Sequence, residues 1–166
     1  MDKTTLRTTM TARRRALTAA EAQARSERIA NHLKGLLEWE QIYHLHVYRS
    51  YEEWREADTT WLERFITAEW PHIELTIGDV SRTAAVPEAV YDVVIVPLLA
   101  FDDECRRLGM GGGWYDRFLS AQPQALSVGL AYELQRAKTV PVEPHDIALD
   151  YIVTEDRVLM RSASHP

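Results

Sequence analysis

A glycine-rich segment is the part of the sequence with the clearest chemical meaning. Residues 109–113 contain four glycines in five positions, between a stretch predicted as a buried strand and one predicted as a helix. Glycines leave backbone N–H groups accessible, and such groups at the start of a helix bind phosphate oxygens. Neither a Walker A loop nor a dinucleotide fingerprint fits, because no Gly-Lys-Ser/Thr follows and position 114 is Trp. A tight turn would rarely need four glycines, so we predict a phosphate-binding loop.

Charged residues elsewhere in the sequence have ordinary structural interpretations, and Asp116 has a functional one as well. Asp116 follows the glycines and either complements the helix dipole or holds Mg²⁺ beside the phosphates. Lys3 and Arg7 lie four residues apart and share a helix face, which is usually a solvated basic face. Glu56, taken by itself, is an acid at a helix start.

Two other groups of reactive side chains are assigned structural roles. His44 and His46 share a strand face, but two ligands are too few for a metal site and no third lies nearby in sequence. The single cysteine, Cys105, has no evident His partner and cannot form an intramolecular disulfide. We therefore predict neither a histidine metal site nor a cysteine nucleophile.

Alternating strands and helices must position these residues. Thr18 and Glu21 form a predicted capping box, and a helix periodicity follows it. Asp58 is a predicted N-cap for a second helix. Predicted strands lie at residues 42–48, 73–77, 91–97, 127–131 and 151–154, the third of them buried on both faces. This order predicts an α/β fold: one domain over residues 1–166, with a mostly parallel central sheet flanked by helices on both faces.

Composition narrows the class of function. Hydrophobic residues make up 46% of the 166 residues, which is typical of a globular chain. A net charge of −6 argues against a nucleic-acid partner. We also expect no membrane span and no secretory signal, and hence a cytoplasmic protein. A monomer that acts on small molecules is expected.

The glycine segment and several shorter motifs resemble one enzyme family. The sequence RLGMGGGWYDRFL, preceded by VPLLAFDDECRRLG, is similar to the signature of the 5-formyltetrahydrofolate cyclo-ligases, also called 5,10-methenyltetrahydrofolate synthetases. Weaker matches occur in the same order as in the family. They are Lys3-x-x-Leu6-Arg7, Arg13-Arg14, Glu56-Ala57-Asp58-Thr59, Val128-Gly129-Leu130-Ala131-Tyr132-Glu133, Pro141-x-Glu143-x-His145-Asp146 and Val153-Thr154-Glu155.

The resemblance implies an activity, two cofactors and a set of site residues. Such an enzyme converts 5-formyltetrahydrofolate, a reduced folate, to 5,10-methenyltetrahydrofolate with ATP and Mg²⁺. It phosphorylates the formyl oxygen before the ring closes. Glu56 is the implied catalytic and substrate-binding residue, Tyr51 contributes to substrate binding, and Asp116 and Asp146 hold the metal. The implied ATP-binding residues are Lys3, Arg7, Arg107, Leu108, Gly109, Met110, Gly111, Gly112, Gly113, Trp114 and Tyr115.

The sequence also departs from the family pattern. The stretch from Glu56 to Arg107 is shorter than in the usual member, which suggests a trimmed folate pocket. Gly112 stands where many members have Lys, and Trp114 replaces a more usual Tyr or Phe. Two alternatives therefore stay open: a catalytically altered homologue that binds nucleotide or folate, and an α/β protein acting on another phosphorylated small molecule.

Overall fold

The computed structural model describes residues 1–78 and 85–163. The helices are α1 (Lys3–Arg15), α2 (Ala19–Leu36), α3 (Trp61–Glu69) and α4 (Trp114–Ser120). The strands are β1 (His44–Tyr48), β2 (Glu74–Gly78), β3 (Val93–Pro97), β4 (Ala100–Phe101), β5 (Arg107–Leu108), β6 (Leu126–Leu130), β7 (Tyr151–Val153) and β8 (Val158–Met160). Short 3₁₀ turns lie at Trp39–Gln41, Glu52–Trp54 and Glu133–Gln135.

The main sheet has the strand order β2-β1-β3-β6-β7-β8. The first five strands are parallel, and β8 pairs antiparallel with β7. Residues 93–96 of β3 are at most 3% exposed, as expected for a central strand covered on both faces. The predicted α/β fold with a mostly parallel sheet is thus confirmed. Strand β8 and the small β4–β5 hairpin were not predicted, because two or three residues give too little alternation to read.

The carboxyl ends of the parallel strands place several residues at one edge of the sheet. Strand β1 leads to Arg49 and Tyr51, β2 ends at Gly78, and β3 ends at Pro97. Ligands bind at this edge in open parallel α/β sheets. The hairpin that follows β3 leads directly from β5 into residues 109–113, so the predicted phosphate loop lies at the same edge.

Helix α1 packs separately from the main core. Its buried apolar side chains, Leu6 and Met10, form a small cluster with Ala100, Leu108 and Val140. Asp2 caps the helix, because its carboxylate accepts a hydrogen bond from the backbone N–H of Thr5 at 2.7 Å. The basic opening segment is thereby fixed beside the β4–β5 hairpin.

The helix signals in the sequence are reproduced with one shift. The Thr18 capping box at the start of α2 is present, with both reciprocal hydrogen bonds formed. Asp58 is not the N-cap of α3; the helix begins at Trp61 with Thr60 at that position. The Asp58 carboxylate instead accepts hydrogen bonds from the N–H and the hydroxyl of Thr60. Asp58 therefore stabilises the turn that leads into the helix.

His46 lies inside the protein among aromatic rings. It is 1% exposed, and its ring centroid is 4.7 Å from that of Phe118 and 5.4 Å from that of Tyr91. Its Nδ1 has no hydrogen-bond partner among the residues that the structure describes. Burial lowers the pKa of His46 to about 4, because an apolar site disfavours the imidazolium form. His46 is a packing residue that joins β1 to α4.

His46 should make folding stability depend on pH. Its pKa is about 4 in the folded protein and about 6.5 when unfolded, so the unfolded chain binds the extra proton between these values. The free energy of unfolding is therefore highest above about pH 6.5. Protonation of His46 in the unfolded chain lowers it by roughly 3 kcal/mol as the pH drops to 4. Denaturant unfolding of the wild type and His46→Phe across this range measures the difference. If the free energy of unfolding changed with pH equally in both proteins, the low pKa of His46 would be contradicted.

Candidate active site

A cleft of about 650 Å³ opens at the carboxyl edge of the sheet. This volume lies within the usual range for small-molecule sites. The walls are α1, the glycine loop, the strand ends and residues 143–146. Every site residue predicted from the sequence lines it: Lys3, Arg7, Tyr51, Glu56, Arg107, Leu108, Gly109, Met110, Gly111, Gly112, Gly113, Trp114, Tyr115, Asp116 and Asp146.

Some lining residues were not assigned to the site from the sequence. They include Arg14, Tyr48, Arg49, Gly78, Pro97 and Leu98. A signal for Arg14 was present, because it lies seven residues after Arg7 and therefore on the same helix face. The other residues sit at strand ends. Their convergence depends on the strand order, which the sequence pattern does not give.

The glycine loop presents bare backbone to the cleft. Gly111 has φ 109° and Gly113 has φ 66°, so both adopt backbone conformations that other residues rarely tolerate. Among the described residues, none accepts a hydrogen bond from a backbone N–H of residues 109–113. Arg7 of α1 donates from Nε to the carbonyl of Gly109 at 3.0 Å. Free donors and an adjacent guanidinium are suited to phosphate oxygens.

Lys3 joins the start of α1 to the far wall of the cleft. Its Nζ lies 2.6 Å from an Asp146 carboxylate oxygen and 2.9 Å from one of Glu143. Burial opposes the charged ammonium, but the hydrogen bonds to these two carboxylates outweigh it and raise the pKa of Lys3. The same contact lowers the pKa of Asp146 against the opposing effect of burial. Both groups are therefore charged at neutral pH.

Arg107 and Asp116 form a buried ion pair at the base of the glycine loop. Their side chains are 5% and 15% exposed, and Arg107 Nη2 donates to Asp116 Oδ1 at 2.9 Å. The same oxygen accepts the backbone N–H of Ile147 at 3.0 Å. Asp116 thus carries a structural role beside the metal role predicted for it. It holds Arg107 and ties the loop after Asp146 to α4.

Two buried polar atoms of cleft residues have no hydrogen-bond partner within residues 1–78 and 85–163. They are Arg107 Nε and the Tyr115 hydroxyl. A buried polar atom without a hydrogen bond costs free energy. Their position in the wall is consistent with a polar ligand in the cleft.

Replacing Asp116 with Asn should destabilise the fold. Asparagine keeps an acceptor oxygen but removes the charge that compensates buried Arg107, which costs about 3 kcal/mol. Urea unfolding of Asp116→Asn measures the loss. The double variant Arg107→Met with Asp116→Asn serves as control, because no buried charge is then left unpaired and part of the loss should be recovered. If Asp116→Asn unfolded at the same urea concentration as the wild type, the structural role of Asp116 would be contradicted and its metal role favoured.

Glu56 lies in the cleft wall formed by the connection between β1 and α3. Its Oε2 accepts the backbone N–H of Tyr51 at 2.8 Å. Burial raises the pKa of the Glu56 carboxyl, although the Tyr51 hydrogen bond and the nearby charge of Arg14 oppose this. Arg55, immediately before it, has φ 52° and is held by carbonyls of Leu17 and Glu52. This left-handed turn determines where Glu56 points.

Arg14 provides a buried positive charge near Glu56. It is 5% exposed and donates to the carbonyls of Trp54 and Leu98 at 2.8 and 3.3 Å. It forms no ion pair with any described residue. Burial lowers the pKa of Arg14, and the charge of Glu56 partly restores it. The two groups therefore stabilise each other's charged forms without direct contact.

Two aromatic rings flank Glu56 in the wall. The centroids of Tyr51 and Trp54 are 4.7 Å apart with their planes tilted by 49°. Trp54 is 38% exposed, so part of its indole face is open to a ligand. Flat heterocycles bind well against such faces.

Metal-ligand geometry occurs at the edge of the cleft near Lys3. Glu143, His145 and Asp146 each offer one ligand atom, and these three atoms lie within 4.8 Å of one another. The two carboxylates suit Mg²⁺, which prefers oxygen ligands, whereas the imidazole does not. In the structure Lys3 binds both carboxylates, so a cation there would have to displace its ammonium. Asp116 is not part of this group within the described chain.

Comparison with known proteins identifies the family. The 5-formyltetrahydrofolate cyclo-ligase family matches residues 68–155, more than half of the chain. The chain belongs to this family. A relative from Escherichia coli K12, named 5-formyltetrahydrofolate cyclo-ligase, is 44% identical over 75 residues. That alignment covers 44% of this chain and 41% of the relative, so the sequence match spans less than half of either.

Solved structures related to this cyclo-ligase family member extend the match over the whole fold. A 5,10-methenyltetrahydrofolate synthetase from Mycoplasma pneumoniae superposes with a TM-score of 0.79 at 26% identity, covering 93% of this chain and 99% of that one. The Aquifex aeolicus 5,10-methenyltetrahydrofolate synthetase gives a TM-score of 0.78 at 28% identity and covers 99% and 97%. The N-terminal residues of the cleft, which lie outside the family match, thus belong to a shared fold.

The helices of the protein are too short or too polar to span a membrane, as far as the structure describes them.

Proposed function

We propose that this chain catalyses the ATP- and Mg²⁺-dependent conversion of 5-formyltetrahydrofolate to 5,10-methenyltetrahydrofolate. The observation that carries the proposal is the single cleft that contains both the glycine loop with its cations and Glu56 with its aromatic neighbours. Family membership and the names of the relatives support the same reaction. Nearly all of the Mycoplasma synthetase has a counterpart here, which favours an enzyme over a homologue that has lost its folate pocket.

The nucleotide side of the cleft is assigned to α1 and the glycine loop. Phosphoryl transfer depends on positioning and positive charge more than on covalent chemistry. Arg7 already contacts the loop, and Arg107 is held in place by Asp116. Lys3 would leave its carboxylate partners for the triphosphate. These cations and the free N–H groups would orient the γ-phosphate toward the formyl oxygen.

The metal is assigned to the carboxylates that now bind Lys3. Asp146, with Glu143 beside it, offers the oxygen ligands that Mg²⁺ needs, and substrate phosphates would complete the set. When bound, Mg²⁺ supplies charge neutralisation for the transferred phosphoryl group. The predicted role of Asp116 as a second metal ligand stays a proposal.

The folate side is assigned to Glu56, Tyr51 and Trp54. A carboxylate accepts hydrogen bonds only, so Glu56 suits the N–H donors of the pterin. The open indole face of Trp54 suits the flat ring. Because burial raises the pKa of Glu56, a pterin N–H bond and the charge of Arg14 help to keep it ionised.

The proposed reaction proceeds in two steps. The formyl oxygen attacks the γ-phosphorus of ATP, and ADP leaves. The second folate nitrogen then attacks the formyl carbon, the C–O bond breaks, and phosphate leaves with the former formyl oxygen. That nitrogen loses its proton as the five-membered ring closes.

Ultraviolet absorbance of methenyltetrahydrofolate tests the proposal directly. Purified protein is mixed with 5-formyltetrahydrofolate and Mg²⁺, with and without ATP. We expect product only when ATP is present. ATP binding without any product would instead support the nucleotide-binding homologue. A cytoplasmic monomer is proposed as the working form, and sedimentation velocity tests its size.

A further inference from the structure

Arg49 is an arginine in the cleft wall that the proposed reaction does not use. It is the first residue after β1, and its backbone N–H donates to the carbonyl of Gly78 at 3.0 Å. The side chain is exposed and belongs to the lining of the cleft. The backbone at this position is therefore fixed by the sheet, while the side chain is exposed at the cleft.

The other cations of the cleft already have partners. Lys3 binds Asp146, Arg107 binds Asp116, and Arg7 donates to Gly109. Arg14 donates to two backbone carbonyls. By contrast, no described residue forms an ion pair or a side-chain hydrogen bond with Arg49. Its positive charge is uncompensated within the described cleft.

The strand order separates Arg49 from the proposed phosphate site. Arg49 follows β1, next to the edge strand β2, whereas Asp146 precedes β7 at the other side of the sheet. Arg49 lies in the same β1–α3 connection as Tyr51, Trp54 and Glu56. It is thus on the side of the cleft proposed for folate.

We propose that Arg49 recognises the anionic glutamyl end of the folate substrate. This inference rests on the proposed function, in which 5-formyltetrahydrofolate occupies the cleft. The substrate carries a flat ring at one end and glutamyl carboxylates at the other. With the ring against Trp54 and Glu56, a guanidinium at the cleft wall can pair with a carboxylate in a two-point geometry. Arg49 is then a specificity residue that distinguishes glutamylated folates from the bare pteroate.

Equilibrium binding separates this role from catalysis. Calorimetry is performed with 5-formyltetrahydrofolate and with 5-formyltetrahydropteroate, which lacks glutamate, on the wild type and on Arg49→Gln. The variant should bind the glutamylated ligand about fivefold more weakly, because the pair is exposed to solvent. Binding of the pteroate should not change. Arg49→Glu should weaken the glutamylated ligand further.

Arg64→Gln is the matched control, since Arg64 is an exposed arginine on α3 that does not line the cleft. It should leave both affinities unchanged. An equal loss for both ligands in Arg49→Gln, or no loss for either, overturns the glutamyl role. The glutamyl role of Arg49 is also overturned if the wild-type protein binds the pteroate more tightly than the glutamylated ligand, or binds neither. Failure of ring closure with normal glutamate-dependent binding would contradict the proposed function and leave the Arg49 inference standing.

Discussion

Replacing Glu56 with Gln is expected to lower the rate of methenyltetrahydrofolate formation by about 100-fold. The amide keeps the shape of the side chain and can still accept the Tyr51 N–H at the present distance. It loses the negative charge that would face the pterin in the proposed complex, and its NH₂ group would oppose the pterin donors. ATP affinity should stay unchanged, because the nucleotide is assigned to α1 and the glycine loop.

The variant should fold at least as well as the wild type. Burial disfavours the Glu56 carboxylate, and a neutral amide does not carry that desolvation cost. Glu53→Gln, in the exposed part of the same connection, is the matched control and should keep full activity. Rapid ring closure by Glu56→Gln, or loss of ATP binding together with activity, would refute the assigned role. Absorbance assays and calorimetry on the three proteins provide the comparison.

The second large effect is expected for Gly111→Val, which should weaken ATP binding at least tenfold. Gly111 has φ 109°, a backbone region that valine avoids, so the loop must change its shape. An added Cβ would lie 3.5 Å from Arg7 Cζ, so the two valine methyl groups would push against that guanidinium. Both the free N–H groups and the Arg7 charge would then be misplaced for phosphate.

Gly35→Val controls for the general cost of a branched residue at a glycine. A Cβ at Gly35 would meet no atom within 4 Å, and the residue lies on α2 away from the cleft. ATP affinity should be unchanged in this control. Calorimetry with ATP decides the question, and a folded Gly111→Val protein with normal ATP affinity would exclude a phosphate role for the loop.

Local sequence patterns predicted the parts of the candidate site whose residues lie close together in the sequence. Four glycines before a helix indicate a phosphate loop, and the spacing of Lys3 and Arg7 places both on one helix face. The strands were recognised where apolar residues were continuous, as in β3, or alternated with polar residues, as in β2. The role of Glu56 came only from resemblance, because a single acid before a helix has no distinctive pattern.

Long-range pairing explains what the sequence did not reveal. Arg49, Gly78 and Leu98 meet at the cleft because β2, β1 and β3 are neighbours in the sheet, although their chain order is different. The ion pair of Arg107 with Asp116 requires the glycine loop to turn back on itself. Neither arrangement has a periodic signal in the chain.

The separate packing of α1 has a consequence for local opening of the protein. The helix that carries Lys3 and Arg7 is anchored by Leu6 and Met10 in a small cluster outside the main core. Segments with few buried contacts unfold locally at a lower free energy than the core, so amide protons of α1 should exchange before those of β3. A ligand that binds only when α1 is folded adds to this protection, by about 2.7 kcal/mol at a concentration 100 times Kd. Bound nucleotide would then stabilise α1 against local unfolding. The exchange rate of the α1 amide protons would report how much of the protein has nucleotide bound.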